Sequence, residues 1–291
     1  MIGVLVHKDP TKIGGYEKLT NYLARALDAQ VINITKEKYN PDDYNYLVAI
    51  DDFSAVYLPR DRKCTIYLTT PRRSLYDMYY TTPLYLRPII GVYRAVDQYF
   101  FRHTQHNLIG ISHTVRNRIN KYYQREAGVI YPCIEVDKYR YEPSEDYWFI
   151  PQRIDAKWKR TQLIVDVFGA LPYQEFMFSG GMTEEGMIEA YAKCKGVIAM
   201  GIDEDFGYTP IEAFASGKHV IAPAEGGYLE TVKGYGTLIN PTKEELVKTV
   251  KGYKEQIFMP EFRRAKAAQF DFSIFKEQWR NHIKINIERH E

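Results

Sequence analysis

The chain has 291 residues, enough for one large or two medium domains, and 45% of them are hydrophobic, ample for a core. A net charge of +2 excludes a general electrostatic footprint for nucleic acid, so no nucleic-acid partner is expected. The 3 cysteines, Cys64, Cys133 and Cys194, form no C-x-x-C pair, which fits a reducing cytosol and argues against zinc.

The first residues run straight into an apolar segment with no basic leader or cleavage site, so no signal peptide is read. The longest apolar runs, such as residues 88–92, are too short to cross a membrane. A strand is predicted over 2–6 and a helix over 16–27, then strands over 31–34, 46–50 and 64–68. An aromatic helical region follows over 75–80 and 84–101, then strand 108–111, helix 114–123 and strand 128–131. Periodicity is lost over 132–146, which carries Pro132, Pro143 and several charges and reads as a linker. The second series comprises strand 147–150, helix 160–170, strand 175–178, helix 184–193, strand 196–200, helix 209–216 and strands 219–222 and 236–239. Helices over 243–253, 260–268 and 273–288 close the chain.

Such alternation predicts α/β architecture with parallel, doubly wound sheets. The expected domains are 1–140 and 141–272, with 273–291 a final helix packing back on the first domain. Ligands of such sheets bind beyond the strand carboxyl ends. Two facing domains would form a cleft there.

The densest chemistry lies in residues 203–217. Glu204 stands just after a predicted strand, and Glu212 about one turn inside the next helix, with Pro210 in that helix's first turn, where a missing N–H costs nothing. The amides of Phe206, Gly207, Tyr208 and Thr209 fall between the two carboxylates. Carboxylates accept paired hydroxyls, and free amides at a helix start bind phosphate, so the pattern asks for a sugar attached to a phosphate. The competing reading is an ordinary acidic helix start. Arg153 and Lys159 follow another strand, and their cations suit a diphosphate; Lys157 is a rival for the second position, and a solvated basic face is the plainer reading. Gly14 and Gly15 follow the first strand in a loop that also carries Lys8 and Lys12; they read either as a phosphate approach or as ordinary turn glycines. Gly226 and Gly227, with Glu230 three residues later, open a short helix near the same ligand. Asp203-Glu204-Asp205 also scores as a D-x-D triplet, but a short acidic triplet is weak evidence for a metal and none is expected. Asp51-Asp52 reads as a strand-end cap.

These residues resemble the retaining glycosyltransferases of family 4, whose GT-B architecture has two facing Rossmann-like domains with a cleft between them. Residues 204–222 follow the pattern E-D-F-G-x-x-P-x-E-A-x-A-x-G-x-P-V-I-A, with His219 in place of the usual Pro. Gly14-Gly15-Tyr16-Glu17 resembles the G-G-x-E loop, residues 67–77 the Y-x-H-T-P-x-R-x-x-x-D segment of mannosyltransferase-like members, residues 129–132 the V-I-Y-P run, and Arg153 with Lys159 the R…K phosphate clamp. The resemblance implies a metal-independent hexosyltransferase without a cofactor. It would move a sugar from a GDP- or UDP-sugar, with retention of configuration, to a glycan, lipid-linked or small-molecule acceptor. It assigns Glu212 to the ribose, Glu204 to the transferred sugar and Arg153 and Lys159 to the diphosphate. Thr69 stands where members of this subtype place a histidine; Arg72, Arg73 and Asp77 remain to position acceptor or phosphate. The stretch 178–185 reads as fusing two strands that relatives separate by a helix, which would trim the second domain. Rival readings are a degenerate member that binds without turnover, a nucleotide-sugar epimerase and a phosphorylase.

Lys63, Arg72, Arg73, Arg87 and Arg94 lie in and around a tyrosine-rich stretch, 67–101, which suits peripheral contact with anionic headgroups at the inner face of a membrane. An acceptor groove, or a core helix with ordinary surface arginines, is the alternative.

Overall fold

A computed structural model of the chain describes residues 1–11, 14–152, 154, 157–255 and 259–288. Lys12 and Arg153, singled out above, lie outside the described residues. The chain divides into two compact units: Met1–Cys133 with Ser273–Glu291, and Ile134–Phe272. The division falls earlier than the break read near residue 140.

The first unit runs β1 (Ile2–Val6), α1 (Gly15–Leu27), β2 (Gln30–Asn33), β3 (Tyr46–Ile50), α2 (Asp51–Ala55), β4 (Thr65–Leu68), α3 (Arg87–His103), β5 (Asn107–Gly110), α4 (His113–Tyr123) and β6 (Gly128–Val129). Its parallel sheet has the order β2-β1-β3-β4-β5-β6. The second unit runs β7 (Tyr147–Ile150), α5 (Thr161–Gly169), β8 (Glu175–Phe178), α6 (Glu184–Lys193), β9 (Gly196–Ile198), α7 (Tyr208–Ala215), β10 (His219–Pro223), α8 (Tyr228–Thr231), β11 (Thr237–Ile239), α9 (Lys243–Gly252) and α10 (Met259–Ala268). Its parallel sheet has the order β11-β10-β9-β7-β8. The last helix, α11 (Phe272–Glu288), returns to the first unit. There Trp279 meets Tyr67 edge-on at 4.9 Å, His282 Nε2 lies 2.8 Å from Thr65 Oγ1, and Asn107 donates to Asn286 Oδ1 at 2.7 Å.

Parallel strands covered by helices on both faces must be apolar throughout. The strands Tyr46–Ile50 and Tyr147–Ile150 are accordingly buried at every position. The core of the second unit gathers Trp148, Ile150, Ile164, Phe168, Ile198 and Ile221. Each such side chain contributes about 1.5–3 kcal/mol on leaving water.

Topology locates the ligand crevices. In the first sheet the chain moves from β1 to one side for β2 and to the other for β3; in the second it moves from β7 to β8 and then across to β9. Loops leaving neighbouring strands in opposite directions open a crevice at the carboxyl ends. These switch points lie beyond β1 and β3 in one unit and beyond β7 and β9 in the other.

Three expectations change. The aromatic region 75–101 is not helical from its start: 3₁₀ turns at Arg73–Leu75, Tyr79–Thr81 and Leu84–Leu86 precede α3. Pro83 disfavours helix before it, and Pro88 fits α3's first turn, so the helix begins at Arg87. The strand expected over 128–131 has only two residues, ending before Pro132. The stretch 178–185 fuses no strands: β8 leads through Gly181, at φ +78°, to Thr183, which caps α6 by accepting from Gly186 N at 3.1 Å.

Candidate functional site

The second unit's switch point carries the densest polar constellation. Lys159 ends a 3₁₀ turn (Lys157–Lys159) before α5, and Ile202 N donates to Trp158 O at 2.9 Å, tying that turn to the loop after β9. Lys159 Nζ then donates to Glu204 Oε2 at 2.5 Å, with the two side chains 37% and 25% exposed. The pair faces partly into solvent, where an incoming anion can reach it.

The loop 201–207 is shaped by close packing. A Cβ at Gly201 would lie 2.4 Å from Glu204 Oε2 and 2.8 Å from the Tyr228 hydroxyl, so only glycine lets the carboxylate fold against the strand end. Gly201 N donates to that hydroxyl at 3.2 Å. Burial, with Glu204 nearby, holds the Tyr228 phenol well above its ordinary range, so it stays a neutral partner. Behind the loop, Gly227 N donates to Glu204 O at 2.6 Å, and a Cβ at Gly226 would meet the same oxygen at 2.5 Å. Gly226-Gly227 thus opens α8 and also lets the loop lie directly on its backbone.

Gly207, at φ +88°, turns the chain into α7, whose first turn contains Tyr208, Thr209 and Pro210. The first amides of a helix have no intrahelical acceptor, which makes this turn an anion-binding edge. Phe206 is buried edge-on to Tyr208 and Phe270, both at 5.6 Å, so its ring anchors the turn while its backbone faces the loop. Glu212, one turn into α7, accepts from the Tyr191 hydroxyl at 2.9 Å. Tyr191 is wholly buried on α6; burial first, and Glu212 second, keep its phenol protonated and donating. One carboxylate oxygen of Glu212 is therefore held in a fixed direction.

The structure brings Lys159 and Glu204 into direct contact and puts Phe206, Gly207, Tyr208, Thr209 and Glu212 on the same loop and helix start. Asp203 takes a left-handed φ of +46°, with its amide bonded to Glu225 Oε1 at 2.6 Å. Among the described residues no group of three or more His, Cys, Asp and Glu side chains is placed to hold a metal. Sequence reasoning missed Tyr191, Arg160, Glu225 and Tyr228. They carry no motif, and each reaches the loop from a distant part of the chain.

The first unit's switch point gathers a separate cluster. Asp51, at φ +69°, turns its carboxylate to the end of β4, accepting from Thr69 N at 3.1 Å and Thr69 Oγ1 at 2.5 Å. Burial pushes the Asp51 carboxyl up to about 6 despite these bonds. Arg72 pairs with Asp52 at 2.8 Å, and Arg73 and Arg118 reach Asp77 at 3.3 and 3.5 Å. Arg118 also donates to Thr70 Oγ1 at 3.1 Å. His7 lies 3.3 Å from the Tyr16 hydroxyl, and its burial lowers its proton affinity. Gly14 has extended backbone at φ 176°, so it is not there to adopt a left-handed turn; Glu17 folds back to within 2.4 Å of where its Cβ would be.

The basic–aromatic stretch is arranged differently from the expectation. Arg94 donates to Leu75 O at 2.6 Å and covers the Tyr79 ring at 4.3 Å, and Arg87 lies over the same ring at 5.4 Å. Asp97 accepts from Tyr76 at 2.6 Å. The charged residues of α3 up to Asp97 thus turn towards the unit, while Ile89, Val92, Tyr93, Val96 and Tyr99 are each more than half exposed. No helix among the described residues is long and apolar enough to cross a membrane.

Residues 170–264 match the family described as Glycosyl transferases group 1. No curated protein matches the chain. Among solved structures, Anabaena Alr3699/HepE in complex with UDP-glucose superposes with a TM-score of 0.78 at 16% identity, over 97% of this chain and 99% of that one. A sucrose-phosphate synthase from Thermosynechococcus elongatus gives 0.75 at 14% identity, over 97% and 98%. WaaG, a glycosyltransferase involved in lipopolysaccharide biosynthesis, gives 0.70 at 13% identity, over 96% and 98%. With two parallel Rossmann-like units along its length and the group 1 match across the Glu204–Glu212 block, the chain has the GT-B fold of glycosyltransferases.

Proposed function

We propose that this chain transfers a hexose from a nucleoside diphosphate sugar to an acceptor hydroxyl, with retention of anomeric configuration and without a metal. The observation that carries the reading is the Lys159–Glu204 pair at 2.5 Å beside the first turn of α7. At one switch point a cation and helix-start amides suit the diphosphate of such a donor, and a carboxylate suits its sugar hydroxyls. Lys159, with Arg153, offsets the charge that grows on the diphosphate as the glycosidic bond breaks, the task a metal ion performs elsewhere. Glu204 accepts hydrogen bonds from the transferred sugar. Glu212, one oxygen fixed by Tyr191, accepts from the ribose hydroxyls. Both glutamates are committed to binding, so no enzyme nucleophile is assigned. The acceptor attacks on the face the diphosphate leaves, and the departing phosphate takes the acceptor proton.

HepE holds UDP-glucose in its structure, which favours UDP over GDP as the nucleotide here. The outward apolar face of α3 supports a lipid-linked acceptor and peripheral contact with a bilayer. With Arg87 and Arg94 turned inward, that contact is chiefly apolar rather than electrostatic.

The test is a thermal-shift panel of UDP, GDP, ADP and their sugars, followed by release of free nucleoside diphosphate with candidate acceptors and the anomeric configuration of the product. A ligand at 100 times its Kd stabilises the folded chain by about 2.7 kcal/mol. A panel without any shift, together with no nucleotide release, overturns the reading. Binding without transfer or hydrolysis would identify a non-catalytic sugar-nucleotide binder instead.

A further inference from the structure

Next to Lys159 stands Arg160, a non-glycine residue in left-handed backbone at φ +45°. Such a conformation is unfavourable for a long side chain and persists only where the surroundings hold it. Here its Nη2 donates to both carboxylate oxygens of Glu225, at 2.8 and 3.1 Å. Its Nη1 donates to Gly201 O at 3.0 Å and reaches Met200 O at 3.4 Å. Glu225 in turn accepts the amide of Asp203, itself left-handed. One guanidinium and one carboxylate, from loops 65 residues apart, thus grip the backbone on both sides of Ile202.

We propose that Arg160 and Glu225 form a clamp that positions Lys159 and Glu204 for the donor. The clamp fixes the chain immediately after Lys159 and immediately before Glu204, so the two functional groups share one anchor. Its own charges cancel within it, so it adds no net charge beside the diphosphate subsite. Arg160 and Glu225 act through Lys159 and Glu204 and are positioning residues. The proposal rests on the donor-site reading above.

The test compares Arg160→Gly, Glu225→Gln and the double variant with the full-length wild type. Glycine suits the backbone at position 160, so the first variant removes the guanidinium while relieving the left-handed residue and should fold. Two readouts are taken. Crystal structures of wild type and Arg160→Gly are expected to show the Lys159–Glu204 pair opened beyond hydrogen-bond distance in the variant. Calorimetric titration with UDP-glucose and with UDP is expected to give an affinity loss for both, because Lys159 serves the diphosphate, and a clearly larger one, of at least about tenfold, for the sugar nucleotide, because Glu204 serves the sugar as well. The double variant is expected to be no weaker than the worse single one, as for partners in one unit. A pair that stays closed in Arg160→Gly, or an equal loss for UDP and UDP-glucose, overturns the clamp. A wild type that binds neither ligand overturns the donor reading instead, and the clamp is then decided by the Lys159–Glu204 distance alone.

Discussion

Substituting Lys159 by methionine separates a binding role from a structural one. The ion pair with Glu204 is short, at 2.5 Å, but its members are 37% and 25% exposed. A pair so accessible to water contributes only about 0–1 kcal/mol to folding. Removing it should therefore lower the melting temperature by less than about 4 °C. The same ammonium facing a diphosphate makes a charge-assisted contact of about 1.5–3 kcal/mol. Lys159→Met should then weaken UDP-glucose binding by about 10- to 150-fold. The assays are calorimetric titration with UDP-glucose and UDP and thermal denaturation without ligand. Because the diphosphate is common to both ligands, both affinities should fall together, unlike those of the Arg160 variant. An unchanged Kd for UDP, or an affinity loss matched by a large drop in melting temperature, would refute the assignment.

Glu212→Ala should weaken donor affinity by about 100-fold, from the loss of charge-assisted bonds to ribose; equal Kd values for wild type and variant in calorimetric titration count against it. Turnover should survive excess EDTA, and loss that Mg²⁺ or Mn²⁺ restores would make residues 203–205 a metal site. Sedimentation with vesicles should show binding that 0.5 M salt barely weakens, with Val92→Glu/Val96→Glu releasing the chain (the salt figure being roughly three times physiological ionic strength); a chain in the supernatant at every salt would leave a water-soluble acceptor. Asp51, pushed up to about 6 from an ordinary value near 4, holds its proton more tightly when folded, so its contribution is full below about pH 4 and is lost as pH rises through about 6. Relative to wild type, Asp51→Asn should thus gain about 2 kcal/mol between pH 4 and pH 7 in denaturant titrations, and a pH-independent difference would exclude this.

The sequence made the second unit legible because its signals are local. The apolar runs at 147–150 and 196–198, the left-handed glycine at 207 and the proline at 210 each act within a few residues, and together they place Glu204 and Glu212 on one turn and helix. What aims the carboxylates is not local. Tyr191 lies 21 residues from Glu212, and Glu225 lies 65 from Arg160, so no periodicity links them. The same limit explains the misreading of α3. Arginines alternating with tyrosines look like a basic surface in one dimension, but residues 87 and 94 lie two turns apart on one helix face, and that face is turned to Tyr79. Arg153, which the sequence paired with Lys159, is outside the described residues, so of the two diphosphate-binding cations only Lys159 has a described geometry.

Thr69 is the point where the chain departs most from the pattern it resembles, and Asp51 gives that departure a physical form. The Asp51 carboxylate takes both the amide and the hydroxyl of Thr69, closing off the end of β4. A hydroxyl already donating to a buried carboxylate is not a base, and Thr69 cannot replace a histidine in proton transfer. The proposed reaction does not require it to. If the departing phosphate accepts the acceptor's proton, the groups that matter for bond cleavage are those that stabilise that phosphate, namely Lys159, Arg153 and the first amides of α7, all in the second unit. The first unit is then free to vary at its switch point so long as its fold is kept. The Asp51–Thr69 bonds, the Arg72–Asp52 pair and the Asp77 contacts of Arg73 and Arg118 brace the strand end and the loop after it. On this view, loss of the histidine changes how an acceptor is held rather than whether the donor bond can break. Hydrolysis of the donor by water, which needs no acceptor subsite, is the activity that should persist even where the acceptor is wrong.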